Sequence, residues 1–149
     1  MDPTKEPGIV FRGVYLTKLQ FSLKDKTPET LDCSLNLSIS KEIQGRKEGG
    51  KTLFLRLAAD PMAGVKEKPF EMQVEILGVF DAEPDSNLPI ETFGSEQGPA
   101  LLVPYLRELI SNITARTPLP PLILPPINVH ALLSAKNEAP KQVEEPSKS

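Results

Sequence analysis

Residues 118–128 read PLPPLILPPIN, five prolines in eleven residues with leucine and isoleucine filling the gaps. Proline holds φ near −65° and has no N–H, so this stretch can extend neither a helix nor the interior of a sheet. It has to be an extended strap. Its apolar side chains, Leu119, Leu122, Ile123 and Leu124, must lie against protein, the chain's own or another's.

Upstream of the strap, hydropathy alternates with the period of strands. Tyr15, Leu19, Phe21 and Leu23 share one parity while Lys18, Gln20, Ser22 and Lys24 take the other. Over 31–40 the alternation is cleaner: Leu31, Cys33, Leu35, Leu37 and Ile39 face Asp32, Ser34, Asn36, Ser38 and Ser40 across the strand. The glycine-rich turn QGRKEGGK at 44–51 precedes a third strand with Leu53, Leu55, Leu57 and Ala59 on one face, which makes a hairpin. A fourth run, 70–80, carries Phe70, Met72, Val74 and Ile76 on one side and turns apolar on both at ILGVF, so something covers its second face. Short polar connections predict an antiparallel meander, because parallel pairing needs long crossovers.

The period then changes to that of a helix. In ALLVPYLRELISNITAR, 100–116, Leu102, Leu106, Leu109 and Ile113 fall on one stripe, with Pro104 tolerable only in the first turn. After the strap, NVHALL predicts a short second helix with Asn128 as N-cap and Val129, Leu132 and Leu133 on its apolar side. The class is α+β: a four-stranded antiparallel sheet, a long helix, the strap and a short helix. Residues 1–8 read as a flexible arm, 9–135 as one domain, and 136–149 as a disordered charged tail.

Composition excludes several kinds of function. A chain of 149 residues with net charge −3 and no tryptophan offers nucleic acid neither a basic footprint nor stacking platforms. No apolar run approaches a membrane span, the N-terminus lacks a signal-peptide core, and a lone Cys33 suits a reducing cytoplasm. One histidine and one cysteine in separate elements supply neither a nucleophilic dyad nor a metal cage, so no enzyme, metal or cofactor is expected. Cys33 is expected to be buried as a small hydrophobe, and His130 to be a surface or partly packed residue of the second helix rather than a ligand or base. GRKEGGK joins two strands instead of opening a helix and lacks the spacing of a phosphate loop; NIT at Asn112 lies within a helix.

The order of the C-terminal third is more specific. Pro104, Tyr105, Arg107, Glu108, Arg116, Pro120, Leu122, Pro125, Pro126, Asn128, Ala131 and Leu132 stand in the order of the SecB family's helix, strap and short-helix motifs. Leu106 replaces an alanine of that pattern and His130 an aspartate. Over roughly residues 9–135 the chain resembles SecB export chaperones. The resemblance implies an ATP-independent holdase for unfolded polypeptides, the clients being precursors for export or, in some relatives, the antitoxin of a toxin pair; a non-chaperone adaptor is the reading from another class. It also implies a homo-oligomer, a dimer of dimers, with Tyr15, Leu102, Leu106, Leu109 and Ile113 between subunits. The client groove it implies is bordered by Leu31, Leu119, Leu122, Ile123, Leu124, Val129, Leu132 and Leu133.

Family members that hand clients to the SecA motor present acidic residues on the first and fourth strands. Lys18, Ser22 and Gln73 stand at those positions here, with Glu71 and Glu75 beside them. Docking to SecA is therefore expected at reduced charge.

Overall fold

The computed structural model describes residues 8–24, 31, 33–84 and 89–124. Strands β1 (Ile9–Leu23), β2 (Asn36–Gly45), β3 (Lys51–Asp60) and β4 (Phe70–Ala82) are followed by helices α1 (Ile90–Ser95) and α2 (Gln97–Thr114). All four strands join one antiparallel sheet, in the order β1-β4-β3-β2. Only β2, β3 and β4 form the expected meander. β1 and β2, consecutive in the chain, occupy opposite edges, because β1 pairs with the far side of β4. The short helix after the strap, the arm over 1–7 and the tail over 136–149 lie outside the described residues.

Alternation gives the sheet two different faces. Phe70, Met72, Val74, Ile76 and Phe80 of β4, with Leu53, Leu55, Leu57 and Ala59 of β3, are buried on the inner face. β1 departs from simple alternation: its ladder is irregular between Phe11 and Gly13 and again between Leu16 and Lys18. An extra residue in one strand shifts the parity beyond it. Leu19 and Phe21 accordingly pair with inner-face Val74 and Met72, whereas Tyr15 pairs with outward-facing Leu77. The parity shared by Tyr15, Leu19 and Phe21 in the sequence is not shared in the fold.

β2 also begins later than the alternation suggests. Asn36 opposite Asp60 starts its ladder, and Pro61, with no N–H to offer, ends the partner strand there. Ser34 bridges Met62 in parallel, and its N–H donates to the Pro61 carbonyl at 3.0 Å. Leu31 and Leu35 rest half-buried against the core, but Cys33 is exposed rather than buried. The expected hairpin turn is present, closed by the Arg46 N–H on the Gly50 carbonyl at 2.7 Å, with Gly49 at φ 108°. That backbone conformation is open to glycine and strained for other residues.

The helical layer covers the centre of the inner face. Leu102, Val103, Leu106 and Ile110 of α2 are buried against the sheet, so Leu102 and Leu106 belong to the chain's own core and not to a surface left for a partner. Gly78 permits this approach: a Cβ there would stand 2.7 Å from Leu102 Cδ2. Leu109 and Ile113, further round the stripe, are half-buried. α2 starts earlier than expected, after the unforeseen α1, and so places Pro104 in its interior. Pro104 and Ala100, whose carbonyl the proline leaves without a helical donor, are both exposed, and water can satisfy that carbonyl.

Candidate functional site

The helices leave one edge of the inner face open. Phe11, Leu16, Leu19 and Leu23 of β1 pair with the buried inner-face residues Phe80, Ile76, Val74 and Phe70, yet each remains 38–50 % exposed. Phe11 stacks on Phe80 at 5.0 Å and meets Tyr105 of α2 edge-on at 6.0 Å. Tyr105 and Leu101, one turn apart, are themselves about half exposed. The result is an apolar strip along an edge strand, running from Leu23 to the outer side of α2. Large exposed apolar area beside unpaired strand N–H and C=O groups is the signature of a surface built to be covered.

On the outer face the five residues expected at motor docking come together. Lys18 pairs in register with Glu75, Gln20 with Gln73, and Ser22 with Glu71, in successive rows of the β1–β4 ladder. Glu75 accepts a hydrogen bond from Thr17 Oγ1 at 2.7 Å, and Glu71 pairs with Lys24 at 3.4 Å. Lys18, Gln73 and Glu75 also line a shallow hollow floored by Ala58 and walled by Asn36 and Ser38 of β2. Both acidic groups thus already have partners, and the row carries no concentrated negative charge.

The strap is placed differently from the expectation for a client groove. Leu119, Leu122 and Leu124 are buried in the core cluster at 5, 5 and 1 % exposure, while Ile123 between them is 72 % exposed. They seal the chain's own core because α2 ends at Thr114 and leaves the core beyond it to be closed by the next segment of the chain. Leu31 is half-buried beside that core, and Val129, Leu132, Leu133 and His130 lie outside the described residues. Thr114, a residue whose role the sequence pattern did not signal, is the buried polar side chain of this region. Its hydroxyl donates to the Ile110 carbonyl at 2.9 Å and accepts the Leu122 N–H at 2.7 Å. Arg107 donates through Nε and Nη2 to the Leu124 carbonyl at 3.2 and 2.9 Å. The spacing Arg107–Thr114 places the two seven residues, or two turns, apart on one helix face, which in hindsight is the signal that they act on the same neighbour.

Catalytic groupings are not what this surface offers. Among the described residues no cluster of three or more His, Cys, Asp or Glu side chains could hold a metal ion. The Cys33 thiol, though exposed, is pushed up from its ordinary range by partial desolvation.

A four-stranded antiparallel sheet backed by helices, with an uncovered apolar edge, is the SecB-like chaperone fold. The SecB-like chaperone Rv1957 of Mycobacterium tuberculosis, solved with a ChAD peptide from the HigA1 antitoxin, superposes with a TM-score of 0.60 at 17 % identity, covering 80 % of this chain and 91 % of that one. A Streptococcus agalactiae protein of unknown function superposes at 0.57 and 14 % identity, over 78 and 96 % of the two chains. The chain belongs to the SecB family: the family model for preprotein translocase subunit SecB matches residues 3–140. The protein-export protein SecB of Anaplasma phagocytophilum is 27 % identical over 85 % of this chain and 91 % of its own. An uncharacterized protein of Methanocaldococcus jannaschii is 28 % identical over 95 and 93 %. SecB is a family of chaperones in protein export, not of enzymes.

Proposed function

We propose that the chain is a holdase: it binds unfolded polypeptides without ATP, in the cytoplasm, and keeps them from aggregating before export. The apolar strip of Phe11, Leu16, Leu19, Leu23, Leu101 and Tyr105 carries this reading. A second copy of the chain covers part of it, through the unpaired edge of β1 and the exposed side of α2, where Leu109 and Ile113 continue the apolar surface. Tyr15, on the outer face, belongs to the rim of that contact. Two such dimers form the working assembly. The client surface is the part of the strip that the second copy leaves open, together with half-buried Leu31 and exposed Ile123. The peptide held by the mycobacterial relative supports polypeptide as the client class.

Motor coupling through the outer-face rows is weak in this reading, because Lys18 stands opposite Glu75 and Lys24 holds Glu71. Gel filtration with light scattering, alone and with a reduced, unfolded test protein, is the direct test. The expected result is an oligomer that co-elutes with the unfolded protein and suppresses its aggregation with no nucleotide present. A monomer that leaves aggregation unchanged overturns the reading.

A further inference from the structure

The run ILGVF, apolar on both sides in the sequence, leaves Leu77 and Val79 on the face of the sheet opposite the helices. Register carries each of them across all four strands. Tyr15, Leu77, Arg56 and Ser40 form one row of the outer face, and Gly13, Val79, Phe54 and Glu42 form the next. Both helices pack on the inner face, against Leu53, Leu55 and Gly78, so neither reaches these rows. Phe54, Leu77 and Val79 are half-buried, and Tyr15 is 54 % exposed. Gly13 has no side chain to interrupt the surface, and the Tyr15 ring fills its place: a Cβ at Gly13 would stand 2.6 Å from Tyr15 Oη. The product is an aromatic and aliphatic platform two rows deep, distinct from the strip on the inner edge of β1.

Within the platform stands a guanidinium with nothing to hold. Half-buried Arg56 makes no hydrogen bond or ion pair among the described residues. The charges around it are already engaged. Asp81, in the row beyond Val79, takes Arg46 at 3.0 Å, Arg12 at 3.3 Å and Thr52 Oγ1 at 2.8 Å. Glu42 accepts from Gln44 Nε2 at 3.0 Å, and Glu75 from Thr17 Oγ1 at 2.7 Å. A guanidinium stays charged at any working pH and presents a planar fork of donors that fits one carboxylate. Apolar surroundings strengthen such a pair by excluding competing water. We propose that this platform is a docking surface for a partner protein's segment in which one carboxylate is flanked by aromatic or aliphatic residues. The carboxylate sits on Arg56, and the flanking side chains sit on Tyr15, Phe54, Leu77 and Val79. A single fixed cation selects a defined sequence, whereas a surface for many unfolded chains has no use for one. The site is set apart from the rows of Lys18, Gln20 and Ser22 further along the sheet, and it asks for the opposite charge to the one expected of a motor that seeks acidic residues. It also lies on the other face from the apolar strip, so partner and client can be held together. The inference stands independently of the holdase reading.

The test uses the full chain and a short synthetic peptide with one glutamate between two phenylalanines, compared with forms carrying glutamine or lysine in its place. Wild type should bind the glutamate form about tenfold tighter than the glutamine form, and the lysine form least of all. Arg56→Gln should abolish that order. Arg56→Lys should keep its sign at reduced size, because an ammonium cannot make the two parallel bonds of the fork, and Arg56→Glu should reverse it. Equal affinity of wild type for the three forms overturns the proposal, as does a preference that survives Arg56→Gln. Should the variants fail to fold, wild type decides: amide NMR shifts induced by the glutamate peptide must centre on Tyr15, Phe54, Leu77 and Val79, and shifts centred on Leu16 and Leu19 refute the site. Displacement of the peptide by a reduced, iodoacetamide-blocked unfolded protein, or by raising the concentration of the chain itself, would give the platform to clients or to a second copy and overturns the proposal too. A glutamate preference carried by Arg56, in a protein that suppresses no aggregation, upholds the site and removes only the holdase reading.

Discussion

Leu122 shows how much one residue's meaning depends on where its chain lies. In an exposed groove, Leu122→Ser would shift stability by less than about 0.5 kcal/mol. Buried as it is, with its N–H on a fully buried hydroxyl, the substitution should cost on the order of 2 to 5 kcal/mol, read as a lower urea midpoint. Gly78→Ala is a second residue-scale test. The added methyl meets Leu102, itself fully buried, and should destabilise by roughly 1 to 3 kcal/mol through overpacking. Cys33 has a distinct signature: its thiol is exposed but its ionisation is pushed upward. The thiolate is the nucleophile, so iodoacetamide should label Cys33 more slowly at pH 7.5 than it labels the unfolded chain, and labelling should accelerate only above the ordinary thiol range. Equal rates in the folded and unfolded chain would contradict the desolvation.

At the scale of elements, β1 does the most with the least regularity. Its two irregularities let one strand point Phe11, Leu16 and Leu19 inward and Tyr15 and Lys18 outward, so both surfaces of the edge carry information. The outer rows make a charge prediction. Lys18→Asp with Ser22→Glu places two carboxylates beside Glu75 and Glu71, and SecA binding should tighten and become steeply salt-dependent, chiefly through faster association. Tight binding by wild type at physiological salt, weakened by the double change, would show that another surface meets the motor. Alternation in β1 was legible, but its parity was not, because a bulge adds a residue without changing composition. β2 was legible as a strand and misplaced by several residues, since its start is set by where Pro61 ends the partner.

For the whole molecule, burial decides which apolar residues are available for assembly. Leu106→Asp buries a charge in the chain's own core and should unfold it, whereas Leu16→Asp or Leu19→Asp should leave a folded protein that runs at lower mass in light scattering. An oligomer that survives both β1 changes would locate the subunit contact elsewhere.

Family, fold class, the β2–β3 hairpin and the helical stripe were all present in the sequence, because periodicity and motif order are properties of neighbours along the chain. The strap's need for cover was present too, in five prolines set among leucines. What covers it was not. That Leu119, Leu122 and Leu124 close the core while Phe11, Leu16 and Leu19 stand open is decided by how far α2 reaches across the sheet and where it stops. Leucine has the same transfer free energy in either place, so only packing in three dimensions distinguishes a residue that seals the fold from one that awaits a partner.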